Sequence, residues 1–364
     1  MKKEENHYKY MQMALELAAK AEGRTSPNPM VGAVIVKNGK VIGQGLHEAV
    51  DRPHGEIAAM NSVKNKRLLK GASLYVNLEP CAHYGRTSPC TKEIIGAGIK
   101  EVYAAMIDPN PKNNGKGIAE LKKAGINVNV GIMGTHALKM NEAFSKFITT
   151  KKPFVIMKTA TSLDGKIATK TGQSKWISSE ESRNYVHRLR NKVDAVIVGI
   201  NTVLNDNPRL TSRIVNGRNP VKVILDSTLR IPLNARIFNE GDVLIATTPR
   251  YNRKKKVALE RKGVGVIVVK KKTKKVDLKE LMNELALRGI THTMIEGGSE
   301  VNASAIKAGI IDKMICFISP KLIGGEGAKS AIGGSGIKCM EDAMSLRDVS
   351  IKQLGPDIVM EGYF

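Results

Sequence analysis

The chain has 364 residues, more than a single hydrophobic core usually supports, and this length favours two domains. Hydrophobic residues make up 42% of it and charged residues 25%, a composition that excludes a largely disordered chain. The polar first residues and the charges inside the first apolar segment predict neither a signal peptide nor a membrane span, so we expect a cytoplasmic protein.

A net charge of +24 is typical of proteins that bind nucleic acid. Aromatic residues, however, make up only 4% of the chain, so side chains that could stack on single-stranded bases are scarce. The excess charge is concentrated in the second half, partly in two basic blocks at residues 253–256 and 270–275. We interpret these blocks as solvated loops or faces and expect anionic small molecules, not nucleic acid, as partners.

Helical and extended patterns alternate through the first half. Apolar side chains recur at helical spacing over residues 7–22, and the pattern ends at Gly23. An Asn38-Gly39 turn then joins two extended runs in a hairpin. Strands are predicted over 31–36, 40–43, 73–78 and 102–107, with further helices beginning near residues 53 and 89. This alternation predicts an α/β sandwich.

The pattern lapses into short polar residues around Thr149 and restarts as an extended run at Phe154. We therefore expect a first domain over residues 1–149 and a second, also α/β, over residues 150–364. In the second half the predicted strands cover 194–198, 221–225, 243–246, 264–269, 293–295 and 314–318, and the predicted helices cover 180–192 and 277–288.

The chemical signature of the first half is His54-Gly55-Glu56 followed by Cys81 and Cys90. One imidazole and two thiolates suit tetrahedral zinc and leave a fourth position for water, as in a catalytic site. Cys90 follows a proline at a predicted helix N-terminus, where the helix dipole favours a thiolate. Glu56, which is not a ligand, is placed to take a proton from the water and to pass it to a leaving amine.

Two other interpretations of this cluster stay open on the residues alone. The three side chains could form a closed structural zinc site with a fourth protein ligand, or they could be buried without a metal. Zinc deaminases of nucleic acids have a Pro-Cys-x-x-Cys spacing, whereas here the second cysteine comes nine positions after the first. The longer loop contains His83, Arg86 and Thr87, which could reach a phosphate or a ring substituent.

The stretch from Cys81 to Cys90 resembles the deaminase half of the bifunctional riboflavin-biosynthesis deaminase/reductase family. That resemblance implies a cytidine-deaminase-like α/β/α sandwich, with His54, Cys81 and Cys90 on zinc and Glu56 as the catalytic residue. It also implies substrate contacts from Asn28, His47, His83, Arg86 and Thr87. Ser88 stands where the family usually has proline, a departure that bears on the stiffness of the loop and not on the ligands.

The second half lacks the Gly-x-Gly-x-x-Gly fingerprint of a Rossmann domain. A predicted strand runs instead into Glu296-Gly297-Gly298-Ser299, and a helix follows. Glycines between a strand and a helix N-terminus let backbone amides meet phosphate oxygens, although such a turn is often only a turn.

Two further segments, residues 161–177 and 199–211, resemble the reductase half of the same family. This resemblance implies a dihydrofolate-reductase-like α/β domain that uses NADPH. The implied cofactor contacts are Ala160, Trp176, Thr202, Asp206, Gly298, Ser299, Glu300, Val301, Asn302, Ala303 and Ser304. The implied substrate contacts are Ser174, Arg190, Leu210, Arg213 and Glu296. Arg190 and Arg213 can supply the fork that a phosphate monoester prefers, and Asp206 can handle protons on the sugar.

The resemblance implies two successive steps of riboflavin synthesis, zinc-dependent deamination of a diaminopyrimidinone ribosyl phosphate and NADPH-dependent reduction of the ribosyl group. It also implies a homodimer or a larger homo-oligomer. Two other function classes remain, a nucleic-acid deaminase with an appended binding domain and a non-catalytic, zinc-stabilised binding module. The long cysteine spacing and the scarcity of aromatic residues count against the first, and Glu56 counts against the second.

Overall fold

The computed structural model of the chain describes residues 2–84, 88–269 and 274–364. The chain divides into two compact units, Met1–Lys151 and Lys152–Phe364, each with its own sheet. Both units are mixed α/β structures, which confirms the predicted fold class. Among the described residues, no helix combines the length and the apolar character that crossing a bilayer requires.

The first unit is built on a five-stranded sheet with the order β2-β1-β3-β4-β5. Strand β1 pairs antiparallel with β2 and β3, and β3, β4 and β5 run parallel. The strands are β1 (Gly32–Lys37), β2 (Lys40–Leu46), β3 (Ser73–Val76), β4 (Glu101–Ala104) and β5 (Asn127–Val130). The helices are α1 (Lys2–Ala19), α2 (Gly55–Ser62), α3 (Cys90–Gly96), α4 (Lys116–Lys123), α5 (Gly134–Met140) and α6 (Glu142–Thr150).

Two apolar cores cover the two faces of this sheet. On one face, residues of α2, α3 and α4, among them Met60, Ile94 and Leu121, pack in one cluster with the strands. On the other face, α1 and α5 contribute Met11 and Ala137 to a second cluster. The unit is therefore the three-layered sandwich that alternating patterns predict.

The second unit contains a nine-stranded sheet with the order β10-β9-β8-β7-β11-β6-β12-β14-β13. Neighbouring strands are parallel from β10 to β12, and the last two pairs are antiparallel. The strands are β6 (Phe154–Ser162), β7 (Ala195–Gly199), β8 (Val221–Leu225), β9 (Val243–Thr247), β10 (Gly265–Val268), β11 (His292–Ile295), β12 (Lys313–Ser319), β13 (Arg347–Leu354) and β14 (Asp357–Tyr363). All five residues of β7 are buried, as expected for a parallel strand that is covered on both faces.

The helices of the second unit flank this sheet. They are α7 (Glu180–Lys192), α8 (Ile200–Asp206), α9 (Arg253–Glu260), α10 (Leu278–Leu287) and α11 (Ser299–Lys307). The basic block at residues 253–256 forms the exposed and half-exposed start of α9, in agreement with its interpretation as a solvated face. The block at residues 270–275 lies mostly outside the described residues.

The polar stretch around Thr149, which we expected to be a break, is the end of a helix. Helix α6 continues to Thr150, and Lys151 closes it in a left-handed conformation. The Oγ1 atoms of Thr149 and Thr150 donate to the carbonyl oxygens of Ser145 and Lys146, both at 2.8 Å. These bonds let threonines, which are weak helix formers, extend the last turn.

Gly45 in β2 lets helix α2 approach the sheet closely. A Cβ atom at this position would lie 2.1 Å from the backbone nitrogen of Ala59 and 2.5 Å from the carbonyl carbon of Ala58. Since backbone cannot give way as a flexible side chain can, only glycine fits here. The N-terminus of α2 carries His54 and Glu56, so this contact also fixes their height above the sheet.

We predict that Gly45→Ala lowers the free energy of unfolding of the first unit by about 1–3 kcal/mol because the added methyl group overpacks the α2 contact. Urea denaturation followed by circular dichroism measures the loss. Gly96→Ala is the matched control, since a Cβ there meets nothing within 4 Å. Equal stability of the two variants would contradict the assigned contact.

Candidate functional site

His54, Cys81 and Cys90 come together in the first unit. Their ligand atoms all lie within 4.8 Å of one another. His54 Nδ1 is 3.2 Å from Cys90 Sγ and 3.6 Å from Cys81 Sγ, so one ring nitrogen faces both sulfurs. Cys90 is buried and the other two are partly exposed, which leaves an open side. An imidazole and two thiols at this separation fit a tetrahedral zinc ion.

Two helix N-termini meet at this cluster. His54 is the N-cap residue of α2, and Cys90 is the first residue of α3, directly after Pro89. The backbone N–H of Cys90 donates to Cys81 Sγ at 3.3 Å. The positive ends of the two helix dipoles favour deprotonated sulfur at this point.

A hydrogen bond joins the thiol groups of Cys81 and Cys90. A hydrogen bond from Cys90, with help from His54, lowers the pKa of Cys81 to about 4. The same hydrogen bond raises the pKa of Cys90 well above its usual value. Both sulfurs must be thiolates to bind a metal ion, so metal binding at this cluster would be coupled to proton release.

A brace of buried polar side chains, formed by Glu79 and Asn113, fixes the backbone on either side of Cys81. Asn113 Nδ2 donates to the carbonyl of Pro80 at 3.3 Å, and Asn113 Oδ1 accepts from the N–H of Ala82 at 2.9 Å. Glu79 accepts backbone N–H groups from Asp108, Gly115 and Ile118. Neither residue was predicted to have this role, because neither carries a recognisable motif alone.

Glu56 lies in the first turn of α2 and is only 3% exposed. Burial, with the nearby Cys81 sulfur, raises the pKa of its carboxyl to about 7. Beside it, the His47 and His54 rings meet edge to face with centroids 5.5 Å apart. Asn28 Nδ2 is 3.1 Å from His47 Nε2, so Asn28 and His47 form one wall next to the metal ligands.

The loop between the cysteines is described only in part. His83 is partly exposed, yet its Nδ1 atom is buried and has no hydrogen-bond partner among the described residues. Asp108 is close enough to interact with it, and burial raises the pKa of the Asp108 carboxyl to about 6. Arg86 and Thr87, the other two substrate contacts that the resemblance implies here, lie outside the described residues.

A cavity of about 860 Å³ opens in the second unit beyond the carboxyl ends of β7 and β11. It brings together most of the residues singled out from the second half. Those that line it are Ala160, Ser174, Trp176, Arg190, Thr202, Asp206, Leu210, Arg213, Glu296, Gly298 and Asn302. Ser299, Glu300, Val301, Ala303 and Ser304 lie along α11 and are not among the lining residues. Lining residues that the sequence did not point to include Lys158, Arg183 and His187.

Glu296 is the most strongly bound charge in this cavity. Arg190 Nε donates to Oε1 at 2.7 Å and Arg190 Nη2 donates to Oε2 at 2.9 Å, while Lys158 Nζ lies 3.7 Å from Oε2. Burial alone would raise the pKa of Glu296, but the two cations and the hydrogen bonds outweigh it and hold the pKa at about 2. The fork of Arg190, which we expected to bind a phosphate, is therefore occupied by Glu296. Arg213 is exposed and can play that role.

Several features of the cavity suit an anionic ligand such as a dinucleotide. A Cβ atom at Gly298 would meet nothing within 4 Å, so the start of α11 leaves open space next to its free amide groups. Asp206 lies near the cationic side chains of Lys175 and Lys329, while burial raises the pKa of its carboxyl. Asn207, Leu210 and Arg213 adopt left-handed backbone conformations, which are uncommon for residues other than glycine and cluster at binding sites.

Both halves match families of known proteins. Residues 4–106 match the cytidine and deoxycytidylate deaminase zinc-binding region, and residues 153–360 match the RibD C-terminal domain. The chain is 44% identical to the riboflavin biosynthesis protein RibD of Aquifex aeolicus over 96% of both chains. It is 34% identical to RibD of Escherichia coli, over 96% of this chain and 97% of the relative.

Solved structures give the same relationship. Acinetobacter baumannii RibD is 35% identical, with a TM-score of 0.88 and 99% of both chains covered. The diaminohydroxyphosphoribosylaminopyrimidine deaminase/5-amino-6-(5-phosphoribosylamino)uracil reductase of Thermotoga maritima is also 35% identical, with a TM-score of 0.87 over 99% of both chains. These matches extend over both units.

We predict that Glu296→Gln lowers the free energy of unfolding of the second unit by about 3 kcal/mol at pH 7, because it leaves two buried cations without their counter-ion. The pKa of Glu296 is depressed from 4.5 to about 2, so its contribution is present above pH 4.5 and is lost as the pH falls towards 2. Thermal unfolding of both proteins at a series of pH values tests this. A stability difference that does not shrink between pH 4.5 and pH 2 would contradict the ion-pair explanation.

Proposed function

This chain belongs to the RibD family of riboflavin biosynthesis proteins, and we propose that its two units catalyse two successive reactions of that pathway. The first unit deaminates 2,5-diamino-6-ribosylamino-4(3H)-pyrimidinone 5′-phosphate. The second reduces the product, 5-amino-6-(5-phosphoribosylamino)uracil, to the ribitylamino phosphate with NADPH. The observation that carries the proposal is the open cluster of His54, Cys81 and Cys90 with Glu56 buried beside it, in a chain that also contains the reductase cavity.

In the first unit, His54, Cys81 and Cys90 hold zinc, which when bound lowers the pKa of water and so makes hydroxide available at neutral pH. Hydrolysis forms a bond from oxygen to the amino-bearing ring carbon and breaks the bond from that carbon to nitrogen. Glu56 takes the proton from water and delivers it to the leaving amine, so that ammonia departs. Asn28 and His47 lie near the ligands and orient the pyrimidine together with His83. Arg86 and Thr87 are proposed as further substrate-binding residues.

In the second unit, reduction transfers a hydride from NADPH to C1′ of the ring-opened ribosyl group, and a proton completes the product. Ala160, Trp176, Thr202 and Asp206, together with the start of α11, bind the cofactor. Ser174 and Leu210 hold the substrate, and the exposed guanidinium of Arg213 binds its phosphate. Arg190 and Glu296 form a rigid charged wall on the substrate side. Asp206 is placed to move the proton on the sugar.

We propose the cytoplasm as the compartment and a homo-oligomer as the working state. The four cysteines are free thiols, and two of them must stay reduced to hold zinc, which a reducing compartment ensures. At one edge of the second sheet, the otherwise largely polar strand β13 exposes Val349 and Ile351, and we propose these two side chains as a contact for a second copy of the chain. The small-molecule substrates are pyrimidine ribosyl phosphates.

We predict that Glu56→Gln leaves zinc bound and lowers the rate of ammonia release at least about 100-fold, because the proton carrier is lost while the three ligands remain. Zinc content by atomic emission and ammonia release are measured on the same sample. Glu93→Gln in α3 is the control, an exposed glutamate of the same unit. Deamination that survives in Glu56→Gln would remove Glu56 from the mechanism.

We predict that His54→Ala abolishes zinc binding and deamination but leaves the second unit active. NADPH oxidation is followed at 340 nm with the deaminated intermediate as substrate. Normal oxidation by a zinc-free, folded His54→Ala chain would separate the two activities. If neither the His54→Ala variant nor the wild-type chain oxidises NADPH, the assignment of the reductase is wrong.

A further inference from the structure

Trp176 is the single tryptophan of the chain, and its side chain stands 62% exposed at the wall of the cavity in the second unit. It lies in a loop between β6 and α7 that has no regular secondary structure. A loop of this kind adopts one conformation only if its backbone polar groups find fixed partners. The orientation of the indole therefore depends on the partners of this loop.

Two cations bind three consecutive carbonyl groups of this loop. Lys321 Nζ donates to the carbonyl oxygens of Trp176 at 2.8 Å and of Ile177 at 2.9 Å. Arg183 Nη1, from the first turns of α7, donates to the carbonyl oxygen of Ser178 at 2.8 Å. The guanidinium carbon of Arg183 also lies 4.6 Å from the centroid of the Trp176 ring, in the geometry of a cation–π contact.

Lys321 is itself held in place by the turn that follows β6. Its carbonyl oxygen accepts the N–H of Leu163 at 2.8 Å. Shortly after Lys321, the backbone N–H groups of Ile323 and Gly324 donate to the carboxylate of Asp164 at 3.0 Å and 2.7 Å. The Trp176 loop is thus tied to the sheet through Lys321 and to helix α7 through Arg183.

We propose that Arg183 and Lys321 are positioning residues that keep Trp176 ready to stack on the nicotinamide ring of the bound cofactor. Arg183 covers part of the indole, and the exposed remainder of the ring is available to a flat aromatic partner in the cavity. This inference rests on the proposed reductase function. Loss of either cation frees the loop, lowers the fraction of molecules with the indole in place and weakens cofactor binding in proportion.

The test uses the full-length protein and the fluorescence of Trp176. The variants are Arg183→Met and Lys321→Met, which keep much of the side-chain length and remove the donors. The matched controls are Arg188→Met, on the same helix with its guanidinium 5.5 Å from the Tyr185 ring, and Lys338→Met, an exposed lysine. Acrylamide quenching reports how accessible the indole is, and energy transfer from Trp176 to NADPH gives the Kd without turnover.

We expect each of the two variants to raise the Kd for NADPH roughly tenfold and to increase quenching of the free protein, with kcat changing less than KM for NADPH. Arg183→Lys, which keeps the charge without the planar group, should fall between the wild type and Arg183→Met. Ammonia release and the thermal transition should match the wild type, which separates a local effect from misfolding.

An unchanged Kd and unchanged quenching in both variants would overturn the inference while leaving the proposed function intact. A rise in KM for the pyrimidine substrate alone would also overturn it, because Trp176 would then face the substrate and not the cofactor. If the wild-type chain itself shows no energy transfer to NADPH and no NADPH oxidation, the proposed function fails and the inference fails with it.

Discussion

Burial of carboxylates is the constraint on which both units depend, since a buried charge is costly unless hydrogen bonds or counter-ions compensate it. Three glutamates meet this constraint in different ways. Glu79 accepts three backbone N–H groups and becomes a structural anchor. Arg190 and Lys158 compensate the charge of Glu296 and hold its pKa at about 2, so its carboxylate is ionised at neutral pH. Glu56 has weaker compensation, because burial outweighs its contacts with His54 and Cys90 and raises its pKa to about 7.

These environments suit the work that we propose for each unit. Proton transfer requires a carboxyl group that can change its state, and Glu56 sits beside the metal ligands in that condition. Binding and hydride transfer require side chains whose position and protonation stay constant. The ion pair of Glu296 and Arg190 gives the cavity such a fixed surface, and the two charges of the pair cancel. Other cationic side chains that line the cavity, such as Arg213 and Lys175, can therefore attract an anionic ligand.

The sequence predicted best what local chemistry dictates. His54, Cys81 and Cys90 were recognisable because zinc needs those residue types, and helix α7 and strand β8 were predicted with the bounds that the structure has. The features that the sequence did not predict depend on contacts between segments that are far apart in the chain. Asn113 binds the backbone of Ala82 and Pro80, which lie 31 and 33 residues before it, and no pattern distinguishes it from a turn asparagine. The fork of Arg190 was assigned to phosphate because its partner stands 106 residues further along the chain.

The separate anchoring of the two sulfur ligands has a consequence for how this kind of enzyme can diversify. Cys81 is fixed by the brace of Glu79 and Asn113 and by Thr91, whose N–H and hydroxyl both donate to its carbonyl oxygen, while Cys90 is fixed by the start of α3. Among the described residues between the two ligands, Ala82 contributes to these anchors through its N–H, and Pro89 contributes as the N-cap residue of α3. The span between the ligands can therefore vary in length and composition while the catalytic centre keeps its form. That interchangeable segment is where new substrate preferences could evolve or be grafted.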